Sequence, residues 1–263
     1  MFQVIVKKES ICNMVYELED TSKAASLFEG WSETLITSCL QKVMGKIYVT
    51  DTTQPRAAIA YVGCFAFYGG EPNRELAEYR FGEFVIMTPQ NDAWAALIEE
   101  CWPSAKKVTR YAIRKDARFD IAALKRMAGD VPEGYVLRRI DTDIYDKCLE
   151  NPLTCDFVSS FESKDKYLEL GRGVVLMKDG KIVSGASSYS RYREGIELEV
   201  DTVTEERRRG FAATVCSALI LDCLEEGLYP SWDAQNLHSV RLAEKLGYEL
   251  EGEYTVYEVK SED

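Results

Sequence analysis

Between residues 194 and 227 the hydrophobic pattern changes period abruptly. Ile196-Glu197-Leu198-Glu199-Val200-Asp201-Thr202 alternates apolar and acidic residues, which predicts a half-exposed strand over 194–202. Residues 211–224 are nearly all Ala, Val, Leu, Ile and Cys and stop short of Gly227. That run predicts a buried helix with a glycine just past its end. Between the two lies Arg207-Arg208-Arg209-Gly210-Phe211-Ala212. A strand that turns directly into a helix leaves the first helical N–H groups without intrahelical partners. A glycine, small residues and arginines at such a turn let an anion approach those groups, where the helix dipole also favours negative charge. The turn reads as a phosphate cradle.

The same periodicities organise the rest of the second half. Residues 135–140 predict a strand, and 143–170 helical material broken at Pro152. Strands over 173–177 and 181–190 flank Asp179-Gly180, a hairpin turn dipeptide. A strand over 228–234, a short helix ending at Leu246 and a strand pair within 248–259 complete this half. In the first half, helices are predicted over 35–44 and 94–101, and strands over 46–50, 81–87 and 108–113. A β-branched and aromatic run over 57–68 ends at Gly69-Gly70. The stretch 127–134, with Gly129, Pro132 and Gly134, is the best place for a boundary. Two mixed α/β domains are expected, residues 1–130 and 131–263.

Composition narrows the chemistry. The 263 residues carry a formal charge of −12, which weighs against nucleic acid, whose binding begins with neutralised phosphates. A local basic turn in an acidic chain suits a small anionic ligand better, and the acidic remainder would attract a cationic substrate. No apolar run approaches the ~20 residues needed to cross a bilayer. Residues 1–9 lack the basic-then-apolar layout of a signal peptide, which argues against export. Eight cysteines occur without a CxxC pair, and Cys64, Cys216 and Cys223 sit in apolar runs as buried thiols would. A reducing cytoplasm is therefore expected. The single histidine, His238, argues against a Ser-His-Asp triad and against a histidine-based zinc site.

Arg207-x-x-Gly210-x-Ala212 matches the Arg/Gln-x-x-Gly-x-Gly/Ala signature of the GNAT superfamily of N-acetyltransferases. Asn236-Leu237-His238-Ser239 and Leu246-Gly247-Tyr248 follow, like the steps that open and close the next helix in that family. The order and spacing of the three motifs make the chain resemble the superfamily. From Arg110 through Pro230-Ser231-Trp232-Asp233 to Leu242-Ala243-Glu244-Lys245-Leu246-Gly247-Tyr248 it resembles the subgroup of zwittermicin A resistance proteins, acetyltransferases with an extra N-terminal region.

This resemblance implies an α/β fold with a mixed (α+β) sheet. The C-terminal half would be the GNAT acyl-CoA-binding fold, and the N-terminal half a degenerate GNAT-like domain. It implies acetyl-CoA as cofactor, with the pyrophosphate on backbone N–H groups of Arg208, Arg209, Gly210, Phe211, Ala212 and Ala213, and the arginines Arg207, Arg208 and Arg209 adding screened charge. The pantetheine arm would pair with backbone at Thr202, Val203 and Thr204, with Asn236 and Ser239 along the arm or near the adenine nucleotide. The implied reaction is acetyl transfer to a primary amine of a small polar molecule, amino-polyol or antibiotic-like.

Amide transfer needs a deprotonated amine, a polarised thioester carbonyl and a proton for the leaving thiolate. Glu197, Glu199 and Asp201 fall on one strand face. Glu199 is the first choice for the base and Glu197 the second, because crowding raises the pKa of at least one carboxylate. A merely solvated strand face remains the alternative. Asp201, Trp232 and Asp233 are the candidate acceptor-side residues. Many superfamily members place a tyrosine four residues before the glycine of the closing motif, and here that position is Ala243. The departure leaves the acid unassigned and keeps open a second reading, a catalytically silent acyl-CoA-binding sensor. Tyr248 reads as a packing residue and His238 as a neighbour of a cap. The first half could wall off the acceptor cleft, mediate homodimerisation or only buttress the second domain.

Overall fold

Apolar runs with no alternation become strands covered on both faces, and alternating runs become strands with one open face. The computed structural model describes residues 14–260, so the 1–9 segment read for a leader, and Cys12, lie outside the described residues. The first half runs β1 (Tyr16–Glu17), a 3₁₀ segment (Thr21–Phe28), α1 (Thr34–Leu40), β2 (Lys46–Val49), β3 (Ala57–Val62) and β4 (Phe65–Gly70). It continues with α2 (Arg74–Ala77), β5 (Phe84–Pro89), α3 (Asp92–Cys101), β6 (Lys106–Ile113) and α4 (Ile121–Gly129). The second half opens with β7 (Tyr135–Arg139), α5 (Thr142–Leu149), α6 (Pro152–Cys155), α7 (Lys164–Leu170), β8 (Gly173–Lys178) and β9 (Lys181–Tyr192). It ends with β10 (Gly195–Thr202), α8 (Phe211–Glu225), β11 (Tyr229–Ser231), β12 (Asp233–Ala234), α9 (Leu237–Leu246) and β13 (Leu250–Lys260).

These strands make two mixed sheets, one of eight in the order β1-β2-β3-β4-β5-β13-β6-β12 and one of five in the order β11-β10-β9-β8-β7. Helix α8 is apolar nearly all round and mostly buried, with Ala212, Ala218, Leu221 and Leu224 half-buried and Glu225 exposed. Its Val215, Leu219 and Ile220 pack on Leu176, Ile196 and Leu198 of the five-stranded sheet, with Leu124 of α4 and Leu246 of α9 beside them. On the opposite face of that sheet, Ile144, Phe157 and Tyr167 cover Val175 and Met177. The eight-stranded sheet is sandwiched likewise. Ala58, Ala60 and Val62 of β3 face α1, while Ala57 and Ile59 face the buried Trp94 and Ile98 of α3.

Several elements differ from the pattern reading. The 57–68 run is a hairpin that turns at Gly63 (φ 60), where a Cβ would fall on the Tyr189 hydroxyl. The expected strand pair within 248–259 is one long strand, β13, with β5 on one edge and β6 on the other. The expected 228–234 strand divides at Trp232. Its first piece, β11, runs parallel to β10, and its second, β12, crosses to β6 in the other sheet. Sheet membership therefore does not follow the 130/131 boundary, since β12 and β13 complete the sheet of the first-half strands.

The β10–β11 pairing spans only Gly195↔Tyr229, Ile196↔Pro230 and Glu197↔Ser231. Pro230 is tolerated because β11 is an edge strand. Gly195 permits the close approach, for a Cβ there would lie 2.1 Å from the Tyr229 carbonyl oxygen. Gly195→Ala is expected to destabilise the fold by roughly 1–3 kcal/mol, the usual range for an overpacked site. The denaturant midpoint measures it, and an unchanged midpoint would mean that this strand contact yields freely.

Candidate active site

Beyond Glu197, β10 keeps β9 on one edge and, among the described residues, has no strand on the other, because β11 ends at Ser231. The parting opens a cleft of about 1510 Å³ between the two sheets. On the free edge, the Val200 N–H donates to the Glu199 carboxylate (3.2 Å) and the Thr202 N–H to Asp201 (2.6 Å). The Thr202 carbonyl accepts from Arg207 Nε at 2.9 Å. Side chains thus satisfy backbone groups that a neighbouring strand would otherwise take.

At one end of this cleft lies the start of α8. Seven of the nine described α-helices begin with an Asn, Asp or Ser side chain that accepts a hydrogen bond from the first turn. Helices α1 and α8 have no such side-chain cap, and their cap residues, Glu33 and Gly210, both line the cleft. Gly210 is left-handed (φ 88), as is Arg208 (φ 63), so the backbone curls and aims successive N–H groups the same way. The N–H groups of Arg208 through Ala213 find no acceptor within the described chain. A Cβ built on Gly210 would meet nothing within 4 Å, so the groove in front of it is open.

Of the residues expected at the cradle, Thr202, Arg207, Arg208, Gly210, Phe211, Ala212, Ala213, Asn236 and Ser239 line the cleft. Val203, Thr204 and Arg209 do not. The Val203 N–H is spent on the Val183 carbonyl (2.9 Å). Arg209 folds back over the Tyr135 and Phe211 rings and pairs with Glu206. Asn236 caps α9 by accepting from the His238 and Ser239 N–H groups, and Ser239 receives the Trp232 indole N–H at 3.0 Å. His238 is exposed and Tyr248 is buried, its hydroxyl donating to the Pro230 carbonyl.

Glu197, Glu199 and Asp201 share the face of β10 opposite Ile196 and Leu198, which are buried against α8. Burial pushes the Glu199 carboxyl up to about 7, with Asp156 adding repulsion. Glu197 is only 5% exposed and also raised by burial, against the attraction of Lys115. Its Oε2 accepts from the Thr34 hydroxyl and lies 4.0 Å from Lys115 Nζ. Asp233 is held in an ion pair with Arg110 (2.5 Å) and accepts from the Tyr254 hydroxyl (2.8 Å). Trp232 is buried in the core, with its carbonyl accepting from Lys115 at 2.7 Å. Asp201 is the most exposed of the acidic group and pairs with Arg207 at 3.3 Å.

The first half furnishes groups that the pattern reading did not single out. Glu33, Gly63, Cys64, Phe65 and Arg110 line the cleft, as does Tyr189 from β9. The Tyr189 hydroxyl accepts from the Cys64 N–H (2.9 Å) and donates to its Sγ at 3.4 Å. Burial first, then the neighbouring Cys64 and Glu199, hold that phenol well above its usual range. Ala243, where the family's tyrosine commonly stands, is buried in the α9 core. Glu33 and Lys115 lie in polar stretches with no periodic signal, and only the fold brings them beside Glu197.

The comparisons with known proteins show the family. The family model described as GNAT acetyltransferase matches residues 25–257, and the chain belongs to that family. It is similar to an uncharacterised N-acetyltransferase of Bacillus subtilis (strain 168), YdfB, at 26% identity over 230 residues, covering 82% of this chain and 86% of that one. Among solved structures, a GCN5-related N-acetyltransferase-like protein from Streptococcus suis 89/1591 superposes with a TM-score of 0.88 at 44% identity. That match covers 91% of this chain and 98% of the other. A GCN5-related N-acetyltransferase from Kribbella flavida shares the fold alone, with a TM-score of 0.51 at 16% identity over 94% and 97% of the two chains.

The raised Glu199 carboxyl has a consequence for stability. A group that holds its proton to about 7 when folded, against an ordinary 4.5, binds more protons in the folded state across that window. Its contribution to stability therefore falls as pH rises from 4.5 to about 7. Glu199→Gln is expected to gain in melting temperature relative to the parent over that window, with little difference below it. A constant difference at all pH values would show that Glu199 titrates as an ordinary surface carboxylate.

Proposed function

We propose that this protein transfers the acetyl group of acetyl-CoA to an amine of a small polar acceptor. One observation carries the reading. Backbone N–H groups without acceptors among the described residues, at Arg208 and at Gly210 through Ala213, belong to residues lining the same cleft as a carboxyl whose proton affinity sits near neutrality. The first feature suits a pyrophosphate and the second suits a base for an ammonium ion.

Acetyl-CoA supplies the activated acetyl thioester. The N–H groups from Arg208 to Ala213 bind its pyrophosphate, and Arg207 and Arg208 add screened positive charge. The Val200 and Thr202 N–H groups, now satisfied by neighbouring carboxylates, can turn to the amide groups of the pantetheine arm. Glu199 takes a proton from the acceptor amine, directly or through water. The amine nitrogen bonds to the acetyl carbon as the carbon–sulfur bond breaks. With Ala243 unable to donate, Tyr189 is the proton source for the departing sulfur. Tyr254, the other phenol lining the cleft, is committed to Asp233. Burial keeps Tyr189 protonated, and its hydroxyl is held only by the weak acceptor Cys64 Sγ, so its proton is available to the thiolate. The resemblance to zwittermicin A resistance-type enzymes favours an amino-polyol acceptor, with Asp201, Trp232 and Asp233 on the acceptor side.

Calorimetric titration with acetyl-CoA, joined to a thiol-release assay over an amine panel, tests the reading. Micromolar binding that Gly210→Trp abolishes is expected, since a side chain there projects into open groove rather than core. Glu199→Gln should still bind acetyl-CoA while kcat falls by about 10²–10⁴, the range for losing a general base. No binding at millimolar acetyl-CoA by a folded protein would end the acetyltransferase reading.

A further inference from the structure

Along the cleft from Glu199, two buried carboxylates share one lysine among the described residues. Arg110 is occupied by Asp233, which also holds the Tyr254 hydroxyl, so that group is closed. Lys115 remains, its Nζ bonded to the Trp232 carbonyl and no nearer than 4.0 Å to Glu197. Glu197 is 5% exposed, lines the cleft, and its Oε1 has no hydrogen-bond partner. Glu33 is 6% exposed, and among the described residues nothing hydrogen-bonds or ion-pairs with its carboxylate, which also lines the cleft. Two buried carboxylates against one lysine leave the group one positive charge short. An uncompensated buried charge is costly unless a partner arrives or a proton stays on.

We propose that Glu33 and Glu197 form a second cation subsite, which holds a protonated amine of the acceptor while another amine of the same molecule lies at Glu199. The inference rests on the acetyltransferase reading and narrows its acceptor to diamines and polyamines, amino sugars with two amino groups included. Glu197 and Glu199 stand two residues apart on one face of β10, so the two nitrogens would be about 7 Å apart. A monoamine of equal length would leave the group one charge short. Burial raises the Glu33 carboxyl to about 7 against the pull of Lys115, and the neighbouring Asp233 and Glu197 add repulsion.

The test uses the full chain with saturating acetyl-CoA and the diaminoalkanes from diaminopropane to diaminohexane, each beside the monoamine of equal length. Intermediate diamines are expected to show a KM lower by about tenfold or more than their monoamines, as a charged hydrogen bond in a buried site gives. Glu33→Gln should shrink that ratio to near unity, with a melting curve confirming the fold. Glu197→Gln should do the same if the first variant fails to fold. Equal KM values for diamine and monoamine, with transfer intact, would overturn the subsite and leave the acetyltransferase reading standing. If no amine is acetylated although acetyl-CoA binds, the general reading fails, and calorimetry with CoA-saturated protein still decides the subsite. Diamine affinity above monoamine affinity, lost in Glu33→Gln, would support it, and equal affinities would overturn it.

Discussion

The parting of β10 from β11 after Ser231 is the constraint on which the site depends. Three paired residues hold the strands together, and then Trp232 anchors in the core while the chain crosses to β6 in the other sheet. A strand edge inside a protein leaves backbone donors and acceptors without partners, which is tolerable only if something else takes them. Here Glu199, Asp201 and Arg207 do so provisionally. The same parting brings the α8 N-terminus, with its uncapped N–H groups, to the mouth of the cleft. The bare α8 N-terminus, the free edge and the raised Glu199 carboxyl all border the cleft that this departure from sheet pairing opens.

The two halves meet in the cleft rather than beside it. Strand β13, the last in the chain, is bracketed by first-half strands, and α1 from the first half sends Thr34 to Glu197. Lys115, between β6 and α4, completes the group around Glu197 from the junction of the halves. Deleting the first half would strip β13 of both its neighbours and uncover Glu197. This end of the cleft is a joint construction, and its charge balance is set across the two sheets.

Local patterning made much of this legible. The period switch from β10 to α8 located the strand-to-helix turn with its bare N–H groups, because a half-buried strand and a mostly buried helix leave opposite signatures in sequence. Asp179-Gly180 marked the β8–β9 hairpin because that turn needs a left-handed backbone, and Asp179 and Gly180 both have positive φ. The break at Trp232 was not legible, since 228–234 is one apolar run and only pairing partners distinguish β11 from β12. Nor were Glu33, Cys64 and Lys115, whose roles come from contacts across 80 to 160 residues or more. Arg209 misled for a different reason. An arginine beside a phosphate-like turn invites an ionic role, but the aromatic faces of Tyr135 and Phe211 and the Glu206 carboxylate claim it first.

The central claim is that the bare N–H groups at the α8 turn, together with the free edge of β10, receive the cofactor. Amide hydrogen exchange with and without CoA measures this at those groups. The account predicts strong slowing at Arg208 through Ala213 and at Val200 and Thr202, with the buried body of α8 unchanged. Slowing spread evenly over the chain, or confined to segments away from these amides, would contradict it.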